Sequence, residues 1–180
     1  MSQNKTNFAV PLAFVGMMFF AIGFALGIHS FLIPVLKGAL SLPSGVAYLL
    51  LAATFVPFLI FGYPASATIA KIGYKRTMAL SFLIFAVAFI LFVLSAKLEN
   101  FILFLIASFV SGAANAYLQA SVNPYITILG PIESAAKRMS IMGICNKLAW
   151  PVAPLFFALV VADQTNVQTS DLYLPFYIII

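Results

Sequence analysis

The sequence predicts an all-α membrane protein, in which packed transmembrane helices make up the whole chain. Charged residues account for 7% of the 180 residues, whereas a soluble domain contains about 25%. Hydrophobic residues account for 64%, and the mean hydropathy is +1.13. So few charges could not cover the surface of a soluble fold, and the apolar excess must therefore face lipid. The apolar runs are continuous and do not alternate with polar residues, which favours helices over the strands of a membrane barrel.

Five long apolar segments and the beginning of a sixth define the predicted helices. A helix needs about 20 residues to span a bilayer, and the five long segments meet this length. They lie at Phe8–Leu36, Val46–Ile72, Met78–Ala96, Phe101–Leu129 and Met139–Val161, and the sixth runs from Leu172 to Ile180. Half a span cannot cross the membrane, so we expect residues 1–180 to form one bundle whose sixth helix is incomplete.

The distribution of basic residues predicts how the bundle is oriented. One side of the membrane receives Lys5, Lys71, Lys75, Arg76, Lys137 and Arg138. The other side receives Lys37 and Lys97, together with the acids Glu99, Asp163 and Asp171. Because cytoplasmic connections carry the excess of Lys and Arg, the pattern predicts a multi-pass protein of the cytoplasmic (inner) membrane with its N-terminus in the cytoplasm. The net charge of +5 is scattered, which argues against a nucleic-acid partner and leaves membrane lipid as the surroundings.

Polar side chains recur along the fourth predicted span. Their spacing of three or four residues predicts that they share one face of a helix. They are Ser108, Ser111, Asn115, Gln119, Asn123 and Thr127. The three amides among them offer donors and acceptors that suit an uncharged, hydroxyl-rich ligand in a water-filled cavity. The alternative is that these groups form hydrogen bonds between helices without binding any ligand.

Two basic side chains are predicted near the middle of the membrane. His29 lies about 12 Å below the outer end of the first span, counted from Lys37 at 1.5 Å per residue. Lys147 lies about 13 Å above the inner end of the fifth span, counted from Arg138. Lys147 has no carboxylate at its depth, so it must be solvated, paired with a group outside these residues, or neutral; it could also extend toward the interface. His29 could instead be a hydrogen-bonded packing residue.

The residues needed for several other functions are missing. The carboxylates, Glu99, Glu133, Asp163 and Asp171, all fall at span ends or in connections. The chain has one histidine and one cysteine. A metal site needs clustered ligands and an intramembrane protease needs paired acids, and a phosphate-binding glycine loop is also absent. The sequence therefore predicts neither an enzyme nor a bound metal or cofactor.

The segment from Gln119 to Lys147 resembles a known family of sugar transporters. It reads QASVNPYITILGPIESAAKRMSIMGICNK, and the Asn-Pro, Leu-Gly-Pro and Asn-Lys elements are similar to the fucose–proton symporter family, in particular to its bacterial glucose/galactose transporter branch. Looser similarity occurs at Leu32–Pro34 and at Lys71–Lys75. This family belongs to the major facilitator superfamily.

The resemblance implies a protein of twelve helices in two six-helix halves, with a central sugar site and alternating access. This chain resembles the N-terminal half, so a missing C-terminal half is an expected partner, and the expected substrate is a hexose, glucose or galactose. Gln119 matches a position linked to sugar binding, and Asn123 and Asn146 match polar positions that face the cavity. Together with the polar residues of the first, fourth and fifth spans, the predicted substrate-binding set is His29, Ser30, Asn115, Gln119, Asn123, Asn146 and Lys147. Tyr117 and Trp150 are candidates for stacking on a sugar face.

The chain also departs from the family pattern. The fucose transporters carry Asn-Asp, with a proton-carrying acid, where this chain has His29-Ser30, and the cytoplasmic loop has Ser66 and Ala70 in place of the usual Gly and Asp. His29 could carry the proton instead, but sodium-coupled and uncoupled mechanisms are equally open. The competing hypothesis is a transport-inactive relative that acts as a sensor or partner protein.

Overall fold

The computed structural model describes residues 8–161 and 167–180, and within these ranges the regular structure is entirely helical. Seven α-helices follow one another: α1 (Ala9–Ala39), α2 (Ser44–Ala47), α3 (Leu49–Ile72), α4 (Tyr74–Lys97), α5 (Phe101–Ile128), α6 (Ala135–Val160) and α7 (Tyr173–Ile179). Short 3₁₀ turns at Ile132–Ser134 and Thr169–Leu172 lead into α6 and α7. Lys5 and Asp163, which the orientation prediction uses, lie outside the described residues.

Five helical segments are long and apolar enough to cross a membrane. They are α1, the continuous pair α2 and α3, then α4, α5, and α6 with its preceding 3₁₀ turn. This number agrees with the five long segments predicted from the sequence. Their ends differ by a few residues because the helices continue past the last apolar residue: α4 begins at Tyr74 and not at Met78, and α6 begins at Ala135 and not at Met139.

The connection between α3 and α4 is a single residue. Gly73 has φ +82°. Glycine adopts this left-handed conformation freely, whereas it is sterically unfavourable for a residue that has a side chain. Lys71 and Lys75 therefore lie in the last turn of α3 and the first turn of α4 rather than in a loop.

The axes of α1 and α6 approach closely because α1 has no side chain at the crossing. A Cβ added at Gly23 would overlap the carbonyl oxygen of Asn146, and one added at Gly27 would overlap that of Trp150. An added Cβ at Gly27 would also lie 2.8 Å from the Cβ of Ala153. Small residues at a spacing of four allow this backbone-to-backbone packing, which stabilises helix pairs in lipid.

A second close crossing joins α3 to α5. A Cβ added at Gly112 would overlap the carbonyl oxygen of Thr54 and lie 3.0 Å from Cγ of Pro57. The Thr54 hydroxyl bonds back to the Leu50 carbonyl of its own helix at 2.8 Å. The two close pairs, α1 with α6 and α3 with α5, form the walls of the opening described below.

The end of the bundle near the α4–α5 connection is filled by aromatic side chains around Phe92 of α4. Its ring stacks on Phe176 of α7, with centroids 5.1 Å apart, and lies 6.2 Å from Phe104 of α5. At the same end, the Thr169 hydroxyl donates to a Glu99 carboxylate oxygen at 2.8 Å. These contacts attach α7 and its preceding 3₁₀ turn to α4 and to the α4–α5 connection.

Arg138 differs from the prediction that it lies in a cytoplasmic loop. It is in the first turn of α6 and is 6% exposed. Its guanidinium donates to the carbonyl oxygens of Ile126 (3.2 Å), Thr127 (3.1 Å) and Pro131 (2.8 Å), and to the Ser134 hydroxyl. Because the Ile126 and Thr127 carbonyls lie in the last turn of α5, where carbonyls have no intrahelical partner, the buried cation satisfies them and joins α5 to α6.

Candidate substrate groove

An open groove of about 460 Å³ lies between the two close helix pairs. Each of α1, α3, α5 and α6 contributes to its lining. The polar lining residues are Gln119, Asn123, Asn146, Lys147 and Trp150, and the apolar ones are Phe19, Ile22, Leu26, Phe55, Phe58 and Gly143. Four of the seven predicted binding residues thus line one opening, although they come from separate parts of the sequence.

The spacing of the polar residues of α5 predicts that they share one face of the helix, but in the structure they do not. Each step of four residues exceeds one helical turn and rotates the side chain by about 40°. From Ser111 to Thr127, four such steps amount to about 160°, so the stripe winds around the helix. As a result, Gln119 and Asn123 face the groove, whereas Ser111 is fully buried in the bundle. Thr127 lies in the last turn of α5, where its hydroxyl donates to the Pro124 carbonyl at 2.7 Å.

Asn146 is held in the groove by α1. Its Nδ2 donates to the carbonyl oxygen of Phe19 at 3.1 Å. Since Asn146 is next to the glycine crossing, the same contact that brings the helices together orients the amide. The Oδ1 atom is left to accept a hydrogen bond from another group, such as a ligand hydroxyl.

Lys147 and Trp150 form a cation–π pair on the α6 side of the groove. The Lys147 Nζ atom lies 5.3 Å from the centroid of the Trp150 ring, within the range of a favourable cation–π interaction. Lys147 is the charged side chain of this lining, and the lining contains no carboxylate. The groove therefore combines amides, one ammonium group and one indole ring.

The other predicted binding residues lie elsewhere. His29 is 1% exposed and packs edge-on against Phe92 of α4, with centroids 5.6 Å apart. Asn115 is fully buried. Ser30 lines a separate cavity with Lys37 and Tyr48, of about 440 Å³. The structure thus does not bring these three residues to the groove that contains Gln119.

The aromatic walls of the groove also differ from the sequence analysis. Tyr117, a candidate for stacking, instead faces Phe61 of α3 at 6.1 Å. The groove is also lined by Phe19, Phe55 and Phe58, which the sequence does not single out. Within an apolar span, the sequence contains no local signal that separates a cavity wall from a lipid-facing side chain.

The groove offers hydrogen-bonding amides and a flat apolar ring face. Among the described residues, no group of three or more His, Cys, Asp or Glu side chains could hold a metal ion. Amide groups both donate and accept hydrogen bonds, and an indole ring offers a flat apolar face. Such a lining matches a small polyhydroxylated molecule, which also has alternating polar edges and apolar faces.

The fold and the groove define the class: a multi-pass helical membrane protein with a polar, ligand-sized opening between its helices. The family follows from comparison with known sequences. The family model described as Major Facilitator Superfamily matches residues 15–180. The chain belongs to this superfamily, whose members are transporters and not enzymes.

Several characterised proteins are similar to the chain. It is 31% identical over 170 residues to the glucose/galactose transporter of Brucella abortus biovar 1 (strain 9-941), which covers 94% of this chain and 41% of that protein. It is 25% identical over 168 residues to the L-fucose-proton symporter of Escherichia coli (strain K12), covering 93% of this chain and 38% of that protein. The crystal structure of FucP, a Major Facilitator Superfamily transporter in the outward conformation, superimposes with a TM-score of 0.78 at 22% identity, over 96% of this chain and 46% of FucP.

The comparisons confirm the family resemblance and the fold class derived from the sequence. The chain has the fold of the six-helix N-terminal half of a twelve-helix transporter, and it spans about 40% of the length of the curated relatives that it matches. It is a multi-pass membrane protein. The roles of individual groove residues stay predictions.

Proposed function

We propose that this chain forms the N-terminal half of a hexose transporter and that the groove is its part of the sugar site. The observation that carries the proposal is the meeting of Gln119, Asn123 and Asn146 in one groove beside Trp150. The names of the relatives, a glucose/galactose transporter and an L-fucose-proton symporter, support a sugar as the substrate.

In this proposal each polar group has a distinct task. The Gln119 and Asn123 amides, one helical turn apart on α5, bind neighbouring hydroxyls of the sugar ring. The Asn146 Oδ1 atom accepts from a third hydroxyl, because its Nδ2 is already bonded to Phe19. Trp150 provides the apolar face against the C–H side of the ring, and the Lys147 ammonium donates to a hydroxyl or to a carboxylate of the other half.

Transport follows from movement of the two halves around this groove. Substrate sites of this architecture lie near the middle of the bilayer at the interface of the repeats, which rock against each other. The open groove is bordered by two tightly packed helix pairs, which supports movement of this half as a unit. We place the protein in the cytoplasmic membrane with the N-terminus inside, as the basic residues indicate.

The test is uptake of radiolabelled glucose by membrane vesicles that contain the protein at the full length of its relatives. We expect uptake above that of empty vesicles, competition by galactose, and a loss of at least tenfold in Gln119→Ala and Asn123→Ala. Ser121→Ala is the matched control, because its buried hydroxyl bonds to the Tyr117 carbonyl of the same helix at 2.6 Å. Absence of both uptake and sugar binding would refute the transporter proposal, and binding without uptake would favour a sensor.

The coupling ion is tested separately. Uptake driven by an imposed proton gradient but not by a sodium gradient would identify proton coupling, and the reverse result would identify sodium. If His29 carries the proton, His29→Gln alters the pH dependence of uptake. An unchanged pH profile removes His29 from this role.

A further inference from the structure

Among the described residues, a set of buried polar atoms has no hydrogen-bond partner in the protein. The atoms are Nε2 of His29, Oγ of Ser108, Oγ of Ser111, and Oδ1 and Nδ2 of Asn115. All four residues are 0–1% exposed. Three of them are on α5 and one is on α1, and none lines the sugar groove.

His29 of α1 and Phe104 of α5 both contact Phe92 of α4. The His29 ring lies 5.6 Å from the Phe92 ring, and Phe104 of α5 lies 6.2 Å from the same ring. Ser108 is one turn further along α5 than Phe104, and Ser111 and Asn115 continue on that face at intervals of three and four residues. These positions define a path that starts near the contacts of His29 and Phe104 with Phe92 and continues along one side of α5.

Other buried hydroxyls in the bundle show what is usual. Ser81, Ser95 and Ser121 each donate to a carbonyl of their own helix at 2.6 Å. The Ser108 and Ser111 hydroxyls do not. An unsatisfied buried polar group is costly, and native proteins usually satisfy it with a protein group or ordered water. Several such atoms along one path indicate a shared ligand.

The hydrogen-bonding roles identify the ligand. His29 Nδ1 lies 2.7 Å from the Ala25 carbonyl oxygen, which can only accept, so Nδ1 carries a hydrogen, and in the neutral imidazole Nε2 is then an acceptor. Nε2 thus requires a donor, whereas Asn115 Nδ2 requires an acceptor. A metal cation could bind oxygen and imidazole atoms but could not accept from Nδ2, and no carboxylate is among these buried residues to balance its charge. Water meets both requirements.

We propose that the interior between α1, α4 and α5 holds a chain of bound water that runs from His29 Nε2 past Ser108 and Ser111 to Asn115. The water donates to Nε2 and exchanges hydrogen bonds with the hydroxyls and the amide. This site makes His29 a proton-accepting group in contact with water inside the bundle, apart from the sugar groove. The proposal does not depend on which molecule the protein transports.

Nuclear magnetic resonance of the lipid-reconstituted 180-residue chain, labelled with ¹⁵N-histidine, tests the proposal. His29 is the only histidine in the sequence, so each ring nitrogen gives one signal. We expect the Nδ1–H tautomer, transfer of magnetisation from water to the imidazole, and no change when sodium replaces potassium. The Nε2–H tautomer, no transfer from water, or a sodium-dependent shift would each overturn the proposal.

Variants locate the water along the path. Asn115→Leu and Ser108→Val should reduce the transfer from water to His29 at least twofold, because each removes a polar partner and fills space. Ser121→Ala should leave the transfer from water to His29 unchanged, because the buried Ser121 hydroxyl of α5 already bonds to the Tyr117 carbonyl. Equal transfer in all variants would contradict a chain along α5. If a variant does not fold, the tautomer and water transfer of the unchanged chain still decide the question.

Discussion

The two close helix crossings, α1 with α6 and α3 with α5, border the same groove but relate to it differently. At the first crossing, Gly23 and Gly27 pack against the carbonyl groups of Asn146 and Trp150, which themselves line the groove. At the second crossing, Gly112 packs against Thr54, and the groove residue Gln119 is two turns away. Close glycine packing therefore positions polar groove residues directly at the first crossing, whereas at the second crossing it only supports the helix that carries them.

This difference predicts that substitutions at the two crossings will have different effects on the stability of the bundle and on sugar binding. The first crossing should affect both quantities together. The second should affect mainly the stability of the bundle. The following substitutions test this distinction, from the largest expected effect to the smallest.

Gly23→Ala should be the most damaging substitution. Its added methyl group would overlap the Asn146 carbonyl oxygen, so α1 and α6 must separate, at a cost of about 3 kcal/mol or more by analogy with overpacked cores. We expect a lower melting temperature in detergent and weaker sugar binding. Gly16→Ala is the control on the same helix, since its added Cβ would meet nothing closer than Met142 Sδ at 3.7 Å. Equal melting temperatures of Gly23→Ala and Gly16→Ala would show that α1 and α6 are not closely packed at Gly23.

Gly112→Ala should destabilise the bundle by about 2–3 kcal/mol. The added Cβ would overlap the Thr54 carbonyl oxygen, but the groove residues of α5 lie further along the helix. Melting should therefore fall while the sugar affinity of the folded fraction stays within about twofold, a free-energy change under about 0.5 kcal/mol. Gly62→Ala on α3, where an added Cβ has nothing within 4 Å, is the control. An affinity loss as large as that of Gly23→Ala would remove the distinction between the crossings.

Arg138→Lys tests the link between the two pairs. Arg138 is on α6 and donates to carbonyls at the end of α5, and a lysine keeps the charge but lacks the planar fork. We expect a loss of about 1–2 kcal/mol in unfolding free energy from the missing hydrogen bonds. The neighbouring exposed Lys137→Arg should change melting by less than about 0.5 kcal/mol. Identical melting of both variants would mean that the carbonyls do not need the guanidinium.

Asn146→Ala should have the smallest effect on stability. It removes one hydrogen bond between helices, to Phe19, and such bonds contribute about 0.6 kcal/mol on average in membrane proteins. Its effect on sugar affinity should be larger than its effect on melting, because the amide also faces the groove. A fall in melting without any loss of affinity would assign Asn146 a purely structural role.

The sequence was sufficient to predict the fold class and to single out four of the residues that line the groove. Continuous apolar runs require spanning helices, and the local motif around Gln119 and Asn123 identified the groove side of α5. The direction of each side chain was less predictable, because a spacing of four drifts around the helix and the neighbour that it meets depends on tertiary packing. For the same reason the sequence does not show that His29 packs against Phe92, and its role in substrate binding stays a prediction.

The sequence also does not show which charged side chains are buried. Counting basic residues by their position between spans treats Arg138 and Lys137 alike. Only the fold shows that Lys137 is exposed, whereas Arg138 is buried and its guanidinium donates to backbone carbonyls. The count still predicts orientation, but it does not distinguish a charge in water from one that caps a helix.

Trp150 has a practical consequence for experiments on this half of the protein. It is the only tryptophan of the 180 residues, and it lies in the groove with the Lys147 ammonium beside its ring. The emission of an indole responds to nearby charge and water, so the chain carries its own optical reporter at the place where a ligand would enter. A shift in emission upon titration would record both occupancy of the groove and displacement of the ammonium group, without any added label.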